Sequence, residues 1–174
     1  MNVENTEEER TLGILGEVSR AWEVRTWDDG VKKMEHQLRE NGIESHITEI
    51  YSPPRVTTWA EAMGLIPGMA LDLTANDPDD GLPWDFNDPD KADKAEKLIE
   101  KKKAMLLIGS PMRTAFSQLQ SLNRARMGES EYGKMVEHGK RHLEFCTRLY
   151  REQMKNGLYF LHEHPDKATS WQHQ

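Results

Sequence analysis

A single cysteine, Cys146, stands in this 174-residue chain, so no intrachain disulfide can staple it. No apolar run approaches the ~18 residues that a bilayer-spanning helix needs. The first ten residues, MNVENTEEER, are acidic and carry no signal-peptide pattern. Nor is there a net positive charge: the balance is −7, which weighs against a general nucleic-acid binder, though not against a local basic patch. Internal repeats and long low-complexity tracts are missing too. What these absences leave is a soluble, intracellular chain without a membrane span, in the cytoplasm or nucleus. At this length it is large enough for one domain with a true core.

The apolar pattern then gives an order of elements. Residues 1–45 read as an N-terminal helical appendage, with a helix over 28–41 carrying Val31, Met34 and Leu38 and ending at Asn41-Gly42. Residues 46–174 read as an α/β domain. HITEIY (46–51) is β-branched and ends at Pro53-Pro54, as a strand does. Residues 55–63 place Val56, Trp59, Ala60 and Met63 on one helical face, with Gly64 as its stop and Pro67-Gly68 as a turn. MALDLT (69–74) reads as a second strand. Asp88 before Pro89 opens a helix to about Lys103. AMLLIG (104–109) is apolar throughout, as a central parallel strand is. A helix over about 136–155 and a last strand, LYFLHE (158–163), follow. Residues 118–135 give no clear pattern. This alternation predicts a mostly parallel, Rossmann-like sheet.

In such sheets ligands sit at the carboxyl ends of the strands. The suggestive residues all fall there: Ser52-Pro53-Pro54, Asp72, the loop from Gly109 to Arg113, and His162-Glu163-His164-Pro165. A carboxylate at Asp72 can accept from both ribose hydroxyls, or can be a solvated strand-end residue. Asp85, between Trp84 and Phe86, can accept from an adenine amino group beside a stacking ring, or simply shape a turn. The 109–117 loop can present a nucleophile, clamp a base, or only join strand to helix. His162 and His164 share one strand face, but zinc needs a third ligand, for which only Cys146 or His173 offers itself; no metal site is expected. Arg124 and Arg126 can meet nucleic-acid phosphates or form a solvated helix face.

Taken together, Gly109-Ser110-Pro111-Met112-Arg113-Thr114-Ala115-Phe116-Ser117, Glu163-His164-Pro165, Asp72 and Asp85 resemble the catalytic domain of the carbon-5 DNA cytosine methyltransferases. Ser52-Pro53-Pro54-Arg55-Val56 and His162-Glu163-His164-Pro165 are similar to motifs of a methyltransferase-like domain in eukaryotic mobile-element (retrotransposon) polyproteins. The resemblance covers roughly residues 46–165. It implies S-adenosylmethionine as cofactor, held by Ser52, Pro53, Asp72, Asp85, Ser110 and Pro111, and DNA as partner. It also implies catalytic positions at 113 and Glu163. The family's cysteine nucleophile is Arg113 here, and a guanidinium holds no free lone pair with which to attack cytosine. A degenerate copy, inactive in methyl transfer, is therefore expected. The alternative is a non-enzymatic module that binds nucleic acid or a partner. The family's further strands and target-recognition segment have no counterpart here, so the domain is expected to be C-terminally incomplete. Its last strand would then offer an open edge for self-association.

Overall fold

In the computed structural model, residues 29–30, 32–33, 35–36, 38, 40–117 and 120–172 are described. The chain divides into two compact units, Met1–Asn41 and Gly42–Gln174. In the first, the described residues between 29 and 40 are helical, and His36 pairs with Glu40 at 3.2 Å. The expectations for residues 1–28, Val31, Met34 and His173 lie outside the described residues.

The second unit is an α/β fold around a four-stranded, all-parallel sheet. Its elements are β1 (Ser45–Ile50), α1 (Val56–Ala62), β2 (Pro67–Leu71), α2 (Pro89–Lys102), β3 (Ala104–Gly109), α3 (Gln120–Met127), α4 (Glu129–Lys155) and β4 (Tyr159–His162). The strand order is β2-β1-β3-β4. The chain steps from β1 to β2, then crosses back over β1 to β3. This reversal opens a crevice between the carboxyl ends of β1 and β3, where ligands bind in sheets of this kind.

Neighbouring residues of a strand face opposite sides. Glu49 turns to the amino end of α1, where Thr57 N–H donates to its carboxylate at 2.7 Å. Ile50 turns the other way, into a core with Leu107, Ala95 and Ile99 of α2, and Phe145, Cys146, Leu149 and Tyr150 of α4. So α1 lies on one face, and α2 and α4 on the other. Cys146 is fully enclosed in that core, and burial pushes its thiol up to about 12, as suits a packing residue.

Three boundaries differ from the sequence pattern. The second strand starts at Pro67 and stops at Leu71, so Pro67-Gly68 is strand and Asp72 lies just beyond it. An outer strand tolerates proline because one side of its backbone needs no partner. Gly68 sits beside an irregularity in the β1–β2 register, where a Cβ would strike Thr48, Ser45 and the Ile47 carbonyl. Finally, α4 starts at Glu129, not near Val136, and α3 occupies part of the stretch before it. β4 is the other outer strand, and Tyr159, Phe160 and Leu161 along it are all exposed. Among the described residues, no helix is long and apolar enough to cross a membrane.

Candidate functional site

A cavity of about 230 Å³ opens at the carboxyl ends of β1, β2 and β3. It is lined by Tyr51, Asp72, Leu73, Trp84, Asp85, Phe86, Asn87, Ser110, Met112 and His142. That volume is just below the roughly 300–1,000 Å³ of ordinary ligand pockets. The opposite, amino-terminal end of the sheet carries a smaller cavity of about 150 Å³, edged by Glu96, Glu100, Lys103 and Glu152.

Of the residues singled out by sequence, Asp72, Asp85 and Ser110 meet in the larger cavity. Asp72 Oδ1 accepts from the Thr74 amide at 2.9 Å and hydroxyl at 2.8 Å, which fixes the carboxylate at the end of β2. Asp85 Oδ1 accepts from the Asn87 amide at 2.9 Å and from its side-chain nitrogen at 2.8 Å. Ser110 donates its backbone N–H to the Ile50 carbonyl at 3.1 Å, so it sits beside the crevice.

Ser52, Pro53 and Pro111 do not line the cavity, contrary to the expectation for a cofactor site. The Ser52 hydroxyl is buried and hydrogen-bonded to Glu49 at 3.0 Å. Tyr51 takes that place instead. Its φ of 59° lies in the left-handed region, unusual for an aromatic residue. The twist turns its ring toward Phe86, 4.8 Å between centroids, and brings its hydroxyl to His142 Nδ1 at 2.7 Å.

The cavity wall formed by residues 72–88 is held from beneath by charge. Asp77 is fully buried and accepts from Lys91 and Lys94, each at 2.6 Å. Burial alone would raise its carboxyl, but the two ammonium groups hold it well below the usual carboxylate range. Both lysines also lie over the Trp84 ring, at 5.1 and 5.7 Å. The indole is thereby pinned as part of the wall.

The 109–117 loop is anchored on both sides of Arg113. The Pro111 carbonyl accepts from His164 Nε2 at 3.0 Å, while Ser170 contacts the ring's Nδ1 at 2.5 Å. Ala115 and Phe116 are buried against Leu143 and Ala168. Arg113 is left exposed at the apex, 4.0 Å from Glu163, which is exposed as well. The two positions implied as catalytic are therefore neighbours, 50 residues apart in sequence yet joined through the Glu163 N–H to Gly109 carbonyl bond of 2.9 Å. An ion pair this open contributes under about 1 kcal/mol.

With both His164 nitrogens engaged and His162 Nδ1 facing the Tyr150 hydroxyl at 3.0 Å, this histidine pair is organised around packing. Among the described residues, no group of three or more His, Cys, Asp or Glu could hold a metal ion. Arg124 is gripped by Glu129 through two contacts of 2.9 and 2.5 Å and lies over the Tyr132 ring. A phosphate would have to displace that pairing; Arg126 is exposed.

Tyr51, Asn87 and His142 were not legible as site residues. The His138–His142 spacing, one helical turn within the α4 sequence, was the available signal. No protein-family model, curated protein or solved structure matches the chain.

Proposed function

We propose that the cavity at the carboxyl ends of β1–β3 is a nucleoside-binding site of the methyltransferase type. S-adenosylmethionine is the cofactor it would take. The chain would be a degenerate relative of the DNA cytosine methyltransferases, inactive in methyl transfer. The observation that carries this reading is the convergence of Asp72, Asp85, Ser110, Tyr51 and Phe86 at the strand-order reversal. Two carboxylates in a cavity with an aromatic wall match the needs of a ribose and a purine. A small neutral-to-cationic cofactor also suits a cavity whose nearest fixed charges are acidic.

Catalysis is a separate matter. Arg113 stands where the resemblance places a thiolate nucleophile, and it faces Glu163. A guanidinium holds no free lone pair with which to attack carbon 6 of a cytosine. The pair would instead suit a polar grip on a base or phosphate.

Calorimetry with S-adenosylmethionine tests the reading. Binding in the micromolar range is expected for the whole chain, weakened at least ~10-fold by Asp72→Ala, since a carboxylate that loses two ribose hydrogen bonds forfeits about 1.5–3 kcal/mol. Methyl transfer to DNA is expected to be undetectable. Failure of the folded chain to bind millimolar cofactor would remove the reading.

The alternative, a partner-binding module, is favoured by one observation. Tyr159, Phe160 and Leu161 are exposed on an outer strand that bears neither lysine nor proline to discourage pairing. Self-association through that edge is the form it would take.

A further inference from the structure

Three polar atoms converge at the rim of the cavity. His138 and His142 project from successive turns of α4, and their Nε2 atoms lie 3.1 Å apart. The side-chain oxygen of Asn87 touches both, at 3.2 Å from His142 Nε2 and in close contact with His138 Nε2. Its identity as oxygen follows from the other end of the amide, where the nitrogen donates to Asp85 at 2.8 Å.

No choice of neutral tautomers turns all three contacts into hydrogen bonds. The amide oxygen only accepts, so each ring must carry a proton on Nε2 to bond it. Two N–H groups would then face each other across the Nε2–Nε2 contact. If either ring gives up that proton, its lone pair faces the lone pairs of the oxygen. A cation at the centre removes the conflict, because all three atoms then act as donors of electron pairs.

Two of the three spacings suit a metal: ligands held ~2.0–2.1 Å from a tetrahedral ion lie about 3.3 Å apart, against 3.1 Å between the two Nε2 atoms and 3.2 Å from His142 Nε2 to Asn87, while Asn87 and His138 stand closer and would have to part to admit the ion. The outer arrangement agrees too: the Tyr51 hydroxyl meets His142 Nδ1 at 2.7 Å, and Asp85 orients Asn87, as groups behind metal ligands do.

We propose that His138 Nε2, His142 Nε2 and Asn87 Oδ1 form a binding site for a divalent transition-metal ion of the zinc class, with solvent completing the shell. Imidazole donors favour zinc, nickel and copper over calcium or magnesium. The site is independent of the cofactor reading, although it shares the rim of the same cavity.

The test is zinc binding to the tag-free full chain, followed by calorimetry and by the visible spectrum of the cobalt-substituted protein. His138→Ala is the variant, because His138 is only partly buried and its loss leaves the core intact. The expected result is one zinc per chain, weakened at least ~10-fold in His138→Ala and in Asn87→Ala, with the cobalt absorption lost in parallel. Circular dichroism would establish that the variants are folded. Absence of zinc binding to the folded wild type, or an affinity in His138→Ala within about threefold of wild type, would overturn the proposal.

Discussion

Glu49→Ala is expected to destabilise the second unit by about 3 kcal/mol. The carboxylate lies at the end of β1, is 1% exposed, and does the work of an N-cap for another element. α1 has only seven residues, and its own N-cap position, Arg55, makes no side-chain capping bond. A helix that short does not persist alone. Glu49 Oε2 accepts from the Thr57 amide at 2.7 Å, the Thr57 hydroxyl at 2.7 Å and the Arg55 amide at 3.2 Å, while Oε1 takes the Ser52 hydroxyl at 3.0 Å. Removing the acceptor strands buried donors, each costing about 1–3 kcal/mol, less whatever relaxation or water recovers. The effect has a pH signature. Burial pushes the Glu49 carboxyl up, but the Thr57, Val56 and Ser52 donors outweigh it, and the net shift is downward. A carboxyl lowered on folding stabilises fully above its unfolded value, ~4.3, and loses that contribution as the pH falls through the lowered folded value. Denaturant unfolding should therefore show a wild-type advantage at pH 7 that shrinks on acidification through this range. An equal difference at both ends would contradict the capping role.

Gly109→Ala should cost about 2–3 kcal/mol, although alanine is the smallest side chain that could be added. Gly109 ends β3 and is not among the positive-φ glycines, so the cost is one of space. An added Cβ would overlap the Tyr150 hydroxyl and lie 2.9 and 3.1 Å from two of its ring carbons. Overpacking of a rigid core typically costs 1–3 kcal/mol, roughly the range expected here. Tyr150 cannot retreat freely. It stacks on Phe160 with centroids 4.5 Å apart and a 14° tilt, and its hydroxyl meets His162. Adding Tyr150→Phe should recover part of the loss, since it removes the worst overlap, but not all of it, because the ring carbons remain. Thermal unfolding of the two single variants and the double variant measures that coupling; strict additivity would mean that Tyr150 is not the obstacle.

These two positions show where sequence reading succeeds and where it stops. Local signals carried far. Asp88 before Pro89 caps α2, with its side chain accepting from Asp90 N–H. Gly64 and Gly157 follow α1 and α4 with φ of 73° and 71°, as helix-ending glycines do. The apolar AMLLIG segment is a central strand, paired on both sides. What failed was set by distant contacts. Pro67-Gly68 has a turn's composition, yet pairing with β1 makes it strand. The start of α4 is obscured by charged residues and Gly133, and what orders the helix is long-range: Gly139 gives Ala115 and Phe116 room to pack.

The candidate site divides in the same way. The positions of Asp72 and Ser110 were legible because strand ends are visible in a pattern of apolar runs, and that of Asp85 because it lies between two aromatic residues just before a capped helix. His142 was not, because it enters from α4, 91 residues beyond its partner Tyr51. Tyr51 itself was hidden by a backbone conformation that its residue type rarely adopts. Ser52 was misplaced because a serine beside a proline turn gives no sign of whether it faces a ligand or, as here, the buried Glu49.

A backbone NMR titration of the full chain with S-adenosylhomocysteine tests the cofactor cavity at the level of single residues. Saturable shifts are expected at Tyr51, Asp72, Leu73, Phe86 and Ser110, which surround one cavity. Unchanged spectra at millimolar ligand, or shifts gathered instead around Glu96, Lys103 and Leu158 at the opposite end of the sheet, would contradict that expectation.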